Sequence, residues 1–422
     1  MTVSLMGDGI YFVAIAWQVL KLSNAPTALS VVGVAWTLPQ VVFLLVGGVM
    51  SDRFDRRRVM IAADVTRAVA IGTMGLLAVT GTIALWEIFV LVAVYGTGDA
   101  FFMPAFGAIV PDIAPKELLL EANSLDQFVR PLTLRLLGPA IGGFVVATFG
   151  AGQGLLLDGL SFAISAVCIG LIAARPIVTK DGGAAPSMMK EIGEGLRFVR
   201  SETWLWATLL AAAIGLLCFF GPFNVLVPFL VKHHLHQGAG GLGLVYAAGG
   251  VGALAASFTM GQRGLPRRHI LYMYLCWGVG TLVMAGYAVT AGLWEAMAIS
   301  VVMSGLFTAG LVVWGTLMHR LVPAELLGRV SSLDWLVSTS LVPLSFAVIG
   351  PIATALGARQ TLAGAGLLGG ASVLLFLLIP GLRATETDGR IAPPEARPSH
   401  RRSRRRPWFR LWPKRQRGRH SY

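Results

Sequence analysis

Gly47-Gly48-Val49-Met50-Ser51-Asp52-Arg53-Phe54-Asp55-Arg56-Arg57-Arg58 sets six charged residues between two apolar runs, 27–50 and 59–80. A helix needs about 20 apolar residues to cross a bilayer, and each run is long enough. The charged burst is therefore a short loop at one membrane face. Its four arginines say which face, because loops rich in Lys and Arg stay on the cytoplasmic side.

The same alternation continues outward along the chain. The 422 residues are 55% hydrophobic and 13% charged, with a mean hydropathy of +0.71. Soluble domains carry about 25% charged residues, so the deficit marks a polytopic membrane protein. Barrel strands would be short and alternating, so the spans are helices. Twelve are predicted, at about 2–21, 28–50, 59–80, 86–110, 124–149, 152–174, 204–231, 239–260, 269–290, 294–318, 333–356 and 361–381. The first leads directly into further spans and reads as a span rather than a cleaved leader. Loops after the even-numbered spans 2 to 10 hold fifteen Arg and Lys. Loops after the odd-numbered spans hold three: Lys21, Lys232 and Arg359. Both termini are therefore expected in the cytoplasm.

The net charge of +13 is concentrated at one end. Residues 383–422 hold thirteen Arg and Lys against three acids, leaving the body only slightly basic. Arg401 to Arg419, with Trp408, Phe409 and Trp412 interleaved, reads as an anchor to anionic lipid or as a dispensable tail, not as a nucleic-acid site. Cys168, Cys218 and Cys276 fall inside apolar runs and read as buried hydrophobes rather than disulfides or metal ligands. His233, His234 and His236 follow span 7 and read as a solvated loop rather than a metal site. No metal ligand and no catalytic residue is nominated. No phosphate-cradling Gly-x-x-x-x-Gly-Lys-Ser/Thr occurs, so ATP-driven export by this chain alone is not expected. No Ser/His/Asp or paired-carboxylate constellation supports an enzyme.

The chain repeats itself. Leu85-Trp86-Glu87 recurs as Leu293-Trp294-Glu295. Pro115-Lys116-Glu117-Leu118-Leu119 recurs as Pro323-Ala324-Glu325-Leu326-Leu327, and Ser124-Leu125-Asp126 as Ser332-Leu333-Asp334. All three matches share one offset of 208 residues, which indicates a duplicated six-helix unit. The predicted organisation is a first bundle at 1–174, a linker at 175–203, a second bundle at 204–381 and a basic tail at 382–422. Within the linker, Met188, Met189, Ile192, Leu196 and Val199 share one helical face, so an interfacial helix is expected. The fold class is all-α integral membrane, twelve helices in two six-helix pseudo-repeats. Parallel repeats of this kind are an architecture of secondary transporters.

These residues resemble the major facilitator superfamily. The loop Gly48-x-x-x-Asp52-Arg53-x-x-Arg56-Arg57 is similar to its signature between helices 2 and 3, with Asp55 standing where glycine is usual. The second-half counterpart, Gly261 to Arg268, keeps the basic residues and has lost the acid. Gly138-Pro139-Ala140-Ile141-Gly142-Gly143 in span 5 is similar to the Gly-Pro motif of the superfamily's exporters. Gly7-Asp8-Gly9 and Asp64-x-x-Arg67 resemble the drug and macrolide exporter branch. The arginine often carried by span 4 of proton-coupled members is absent; Gly96, Gly98 and Asp99 occupy that region. The resemblance implies a monomeric proton-coupled exporter of an amphipathic small molecule, with no bound cofactor. It further implies that Asp52 meets the start of span 11 near Ser331 and Ser332, latching the two halves on the cytoplasmic side, with Arg53, Arg56 and Arg57 orienting it or holding lipid phosphate. Export of a siderophore or secondary metabolite is the alternative, and a non-transporting receptor or scaffold is the rival from another class.

An ionisable residue at mid-bilayer costs at least ~2.5 kcal/mol on insertion scales and needs a partner or a role. Residue counts at 1.5 Å per residue put Asp8, Asp99 and Arg135 near the midplane, and Asp158 in the outer part of span 6. Asp99 and Arg135, on consecutive spans, are expected to pair or to share a cavity; a static brace between spans 4 and 5 would look the same. All three midplane residues are candidates for proton coupling. Spans 7–12 show no charge at comparable depth, which places coupling in the first half. Asp64 with Arg67, and Asp126 with Arg130, are spaced as pairs within one helix. Tyr11, Trp36, Phe102, Phe106, Phe219, Phe220, Phe223 and Asn224 are candidates for the substrate cavity. The run Phe219-Phe220-Gly221-Pro222-Phe223-Asn224 is the best of these, since Gly and Pro disturb a span mainly where a cavity or neighbour satisfies the backbone.

Overall fold

The computed structural model describes residues 2–113, 128–171 and 188–387. Helices α1 (Thr2–Leu22), α2 (Pro26–Arg53), α3 (Arg56–Thr80), α4 (Leu85–Ile113), α5 (Phe128–Phe149) and α6 (Ala151–Gly170) form the first bundle. Helices α7 (Thr203–His233), α8 (Ala239–Arg263), α9 (His269–Val289), α10 (Leu293–Leu321), α11 (Glu325–Leu356) and α12 (Ala358–Leu378) form the second. These are the twelve expected spans. Span 11 differs most from its predicted limits, because its helix begins well before 333 and carries Asp334 inside it. The basic tail after 387 and the first copies of the second and third repeat matches lie outside the described residues.

The helix ends follow from local chemistry. Asp55, at the position where the related loops carry glycine, starts α3: its carboxylate accepts the Arg57 backbone N–H at 2.9 Å. Gly81, at φ +75°, closes α3 in the left-handed conformation that glycine takes without strain. The repeated Leu-Trp-Glu has a matching role at both sites. Glu87 accepts from the Ala84 N–H at 2.8 Å and Glu295 from the Ala291 N–H at 2.7 Å, each tying the chain just ahead of its helix to the first turn. Trp86 and Trp294 beside them are exposed, at the level where tryptophan prefers the lipid headgroups.

The repeat governs packing as well. In the first bundle α2 packs on α4, α3 on α4 and α6, and α1 on α5 and α6. In the second, α8 packs on α10, α9 on α10 and α12, and α7 on α11 and α12. The helix Met188–Ser201 lies between the bundles in sequence but packs on α7 and α11. Glu194 pairs there with Arg329, and Gly195 lies against Arg329 and Leu333.

The bundles meet through α2 with α11 and α5 with α8, at the ends away from the arginine-rich loops. Gly143 and Gly243 bring two backbones together: a Cβ on Gly243 would lie 2.6 Å from the Gly143 Cα. The Phe346 ring lies against Gly33, and Gly350 against Thr27 and Ser30. Lys232, at the end of α7, donates to the Leu20 carbonyl at the end of α1 and to the Asn24 side chain, at 3.1 Å, in the next loop. Toward the arginine-rich side the helices part. Residues 342–353 of α11 bury one face, whereas none of 331–341 is buried. α2 packs on the 342–356 part of α11 and hardly touches the 324–340 part. The crevice between the bundles is closed at one end and opens toward the basic loops.

Replacing Gly243 with Leu should push α8 off α5 and lower stability by about 1–3 kcal/mol, the usual cost of overpacking, read as a fall in melting temperature. Gly240→Ala, whose added methyl meets its nearest neighbour at 3.7 Å, should leave it unchanged.

Candidate functional site

The first bundle encloses a charged cluster. Arg67 of α3 is buried and pairs with Asp64 one turn before it and with Asp99 of α4 at 3.0 Å. Its guanidinium lies over two aromatic faces, 4.1 Å from the Phe102 ring centre and 4.3 Å from that of Phe162. Asp99 also accepts from the Trp36 indole of α2 at 3.1 Å. One cation thus holds α3, α4 and α6 directly and α2 through Asp99.

Two further carboxylates complete the cluster. Asp8 of α1 accepts from the Tyr95 hydroxyl of α4 at 2.9 Å, and the Tyr95 ring lies 4.9 Å from that of Tyr11. Asp158 of α6 is fully buried. It accepts from Ser161 at 3.3 Å through one oxygen, and its other oxygen meets no donor among the described residues. Asp158 sits beside Asp8, because a Cβ on Gly7 would lie 2.4 Å from its Oδ1. Sequence reasoning placed Asp158 only by depth; the small neighbour Gly7, directly before Asp8, is the signal that brings the two together.

The expected pairing of Asp99 with Arg135 does not occur. Asp99 points to Arg67, while Arg135 is exposed and pairs with no carboxylate among the described residues. The two lie on consecutive helices but on different sides of the bundle, and residue counts fix depth without fixing direction. The pair within α3 forms as expected, with Asp99 added to it. The cation absent from span 4 is supplied from α3. The Asp126 partner expected for Arg130 lies outside the described residues.

The second bundle carries a charge that the span boundaries hid. Asp334 accepts from the Trp314 indole of α10 at 3.0 Å and from Ser338 at 3.1 Å. It lies about two turns further into its helix than expected, because α11 begins earlier.

Between the bundles, away from the basic side, Tyr11, Phe12, Trp36, Asn224, Tyr246 and Phe346 line a narrow cavity. Tyr11, Trp36 and Asn224 were expected there. Phe219 and Phe223 stand behind it: their rings are 5.3 Å apart, and Phe223 reaches Tyr246 at 5.6 Å and Phe219 reaches Phe307 at 4.5 Å. Phe220 meets Phe219 edge-on at 6.1 Å. Pro222 to Leu226 form a π-helical turn, so the Gly-Pro pair does disturb the span beside a cavity. Phe102 is corrected: it covers Arg67 inside the first bundle, and Phe106 stacks on it at 6.0 Å. In the exporter-type motif, Gly138 and Gly142 admit α1, and Pro139 and Gly143 meet α8.

In the loop that opened the sequence, Arg57 donates to the Ile169 carbonyl at 3.0 Å and to that of Gly170, binding the free end of α6. Arg58 stands 3.8 Å from Asp55. Arg53 lines a groove of about 730 Å³ between α2 and α3, with α4 beneath it. No neighbour crowds Gly48. The side chain of Asp52, proposed to meet span 11, lies outside the described part of the structure.

Twelve helices in two matching bundles, parted at one end around a cavity and holding buried charge, define a transporter of the major facilitator kind rather than an enzyme. Residues 1–400 match the model of the transmembrane secretion effector family, and the chain belongs to that family, in the drug-exporter branch of the superfamily. It is 23% identical to macrolide efflux protein A of Streptococcus pyogenes, over 85% of this chain and 88% of that protein. It is 28% identical to the multidrug efflux pump Tap of Mycolicibacterium fortuitum, over 84% and 88%. It is 27% identical to the enterobactin exporter EntS of Citrobacter koseri, over 89% and 88%. The fold is shared with a bacterial homologue of the human lysosomal transporter Spinster in an inward-facing, unoccupied conformation, at TM-score 0.65 and 14% identity over 93% of this chain and 98% of that one. It is also shared with a bacterial homologue of ferroportin in an inward-facing state, at 0.65 and 16% over 90% and 97%.

Arg67→Met leaves Asp64 and Asp99 without their counter-charge. Removing one partner of a buried ion pair costs about 3–5 kcal/mol, so the variant should lose most of its detergent-stable, monodisperse fraction in size-exclusion chromatography.

Proposed function

We propose that the chain exports an amphipathic small molecule across the cell membrane by exchange with protons, the bundles rocking about the cavity between them. The observation that carries this reading is the charge balance of the first bundle. Four carboxylates, Asp8, Asp64, Asp99 and Asp158, surround one guanidinium, that of Arg67. Out of water, unpaired charge is too costly to keep, so protons must occupy some of these acids. Asp64 and Asp99 face the cation, which leaves Asp8 and Asp158 as the proton carriers. Trp36 connects them to cargo: it lines the cavity and donates to Asp99, so a compound that displaces its ring disturbs the cluster directly.

The arginine-rich side is the cytoplasm by the positive-inside rule, which puts both termini there and makes the crevice inward-facing. Outward export is supported by the relatives, which are named for the efflux of macrolides or several drugs and for the export of enterobactin. The last of these also supports the siderophore alternative. Asp52 serves as the cytoplasmic latch at the start of α11, formed when the crevice closes on that side.

The test is efflux from a pump-deficient strain across a panel of drugs and siderophores, with and without a protonophore. Uncoupling should abolish efflux, and Asp8→Asn should reduce it at least tenfold while leaving surface expression unchanged. Efflux that survives the protonophore would end the antiport reading. Asp52→Asn should slow transport with membrane insertion intact; unchanged flux would remove the latch.

A further inference from the structure

Among the described residues of the first bundle, Arg135 is a mid-span cation that the charged cluster does not absorb. On α5, Leu137, Ile141, Phe144 and Thr148 are exposed and recur at spacings of four and three, which makes them one stripe on the lipid side. At 100° per residue Arg135 falls on the opposite face, with the buried Pro139, Gly142 and Val146. A residue on that face should be buried, yet Arg135 is exposed. Its exposure is therefore to the crevice between the bundles, not to lipid.

The local backbone sets it there. Pro131 to Leu137 form a π-helical turn, a widening found often at functional sites. The Arg135 carbonyl lies against α8, 2.4 Å from where a Cβ on Gly250 would stand, so α8 can approach only because position 250 is glycine. One turn along α8, four residues from Gly250, is Tyr246, which lines the aromatic cavity with Trp36 and Phe346. The Arg135 backbone and an aromatic pocket thus lie about one helical turn, roughly 6 Å, apart along α8. No described carboxylate neutralises the guanidinium, although a charge at this depth needs a counter-charge.

We propose that Arg135 receives an anionic group of the transported compound, so that the cargo is an amphiphilic anion: a carboxylate, sulfonate or phosphate joined to an aromatic or apolar body. This rests on the export reading and narrows it. Guanidinium forks suit such oxyanions because two N–H groups bind two oxygens at once.

Fluorescein and rhodamine 6G share a ring system and carry opposite charge, which makes them matched probes. Binding of each to the purified full-length protein is read by fluorescence anisotropy, and uptake by inverted membrane vesicles. Fluorescein should bind and be taken up, Arg135→Gln should weaken its binding at least tenfold, and Arg135→Lys should restore part of the loss. The affinity for rhodamine 6G should be the same in all three proteins. The melting temperature of Arg135→Gln without ligand should equal or exceed that of the parent, because a lone cation has been removed; a structural brace would lower it. If rhodamine 6G is transported and fluorescein is not, or if Arg135→Gln binds fluorescein as the parent does, the anion site is wrong and export stands. If the vesicles move neither dye and the strain panel shows no efflux, the export reading fails and takes this one with it.

Discussion

A guanidinium placed where there is no water must be met by carboxylates, and Arg67 is met by two. Asp64 holds it from the same helix and Asp99 from the next, while Phe102 and Phe162 close over its faces. None of these contacts tolerates displacement, since each group left alone would be an unpaired charge in a low-dielectric interior. Four helices are therefore fixed relative to one another around one side chain. The first bundle can move as a rigid unit because its centre is tied in this way. Among the described residues the second bundle has no equivalent: its Asp334 is satisfied by neutral donors, Trp314 and Ser338.

Much of this was legible in the sequence because it depends on pattern. Apolar length and loop charge gave the twelve spans. The common offset of three short motifs gave the duplication, and the packing of α1–α6 repeats in α7–α12 as that offset implies. Asp55 looked like a departure from the loop signature and proves to be a helix cap, a role it fills as readily as glycine fills a turn. The partners of the buried charges were not legible. Counting residues gives depth along a helix, but the direction in which a side chain points depends on how that helix is rotated in its bundle. Asp99 and Arg135 match in depth and face different neighbours. Phe102 has the depth of a cavity residue and the orientation of a packing one.

The irregular turns show the same division. Pro131–Leu137 and Pro222–Leu226 are both π-helical, and both begin at proline, which could be read directly. What the widened turn presents could not. In α7 it stands beside the aromatic wall; in α5 it leaves an arginine exposed on a face whose neighbouring residues are buried.

The helix Met188–Ser201 has a mechanical consequence. It is fastened to α11 through Glu194 and Arg329 and packs on α7, so it travels with the second bundle. Among the described residues the two bodies are thus unequal, six helices against seven. A split into two co-expressed fragments would keep the second body whole only if the cut fell ahead of Met188.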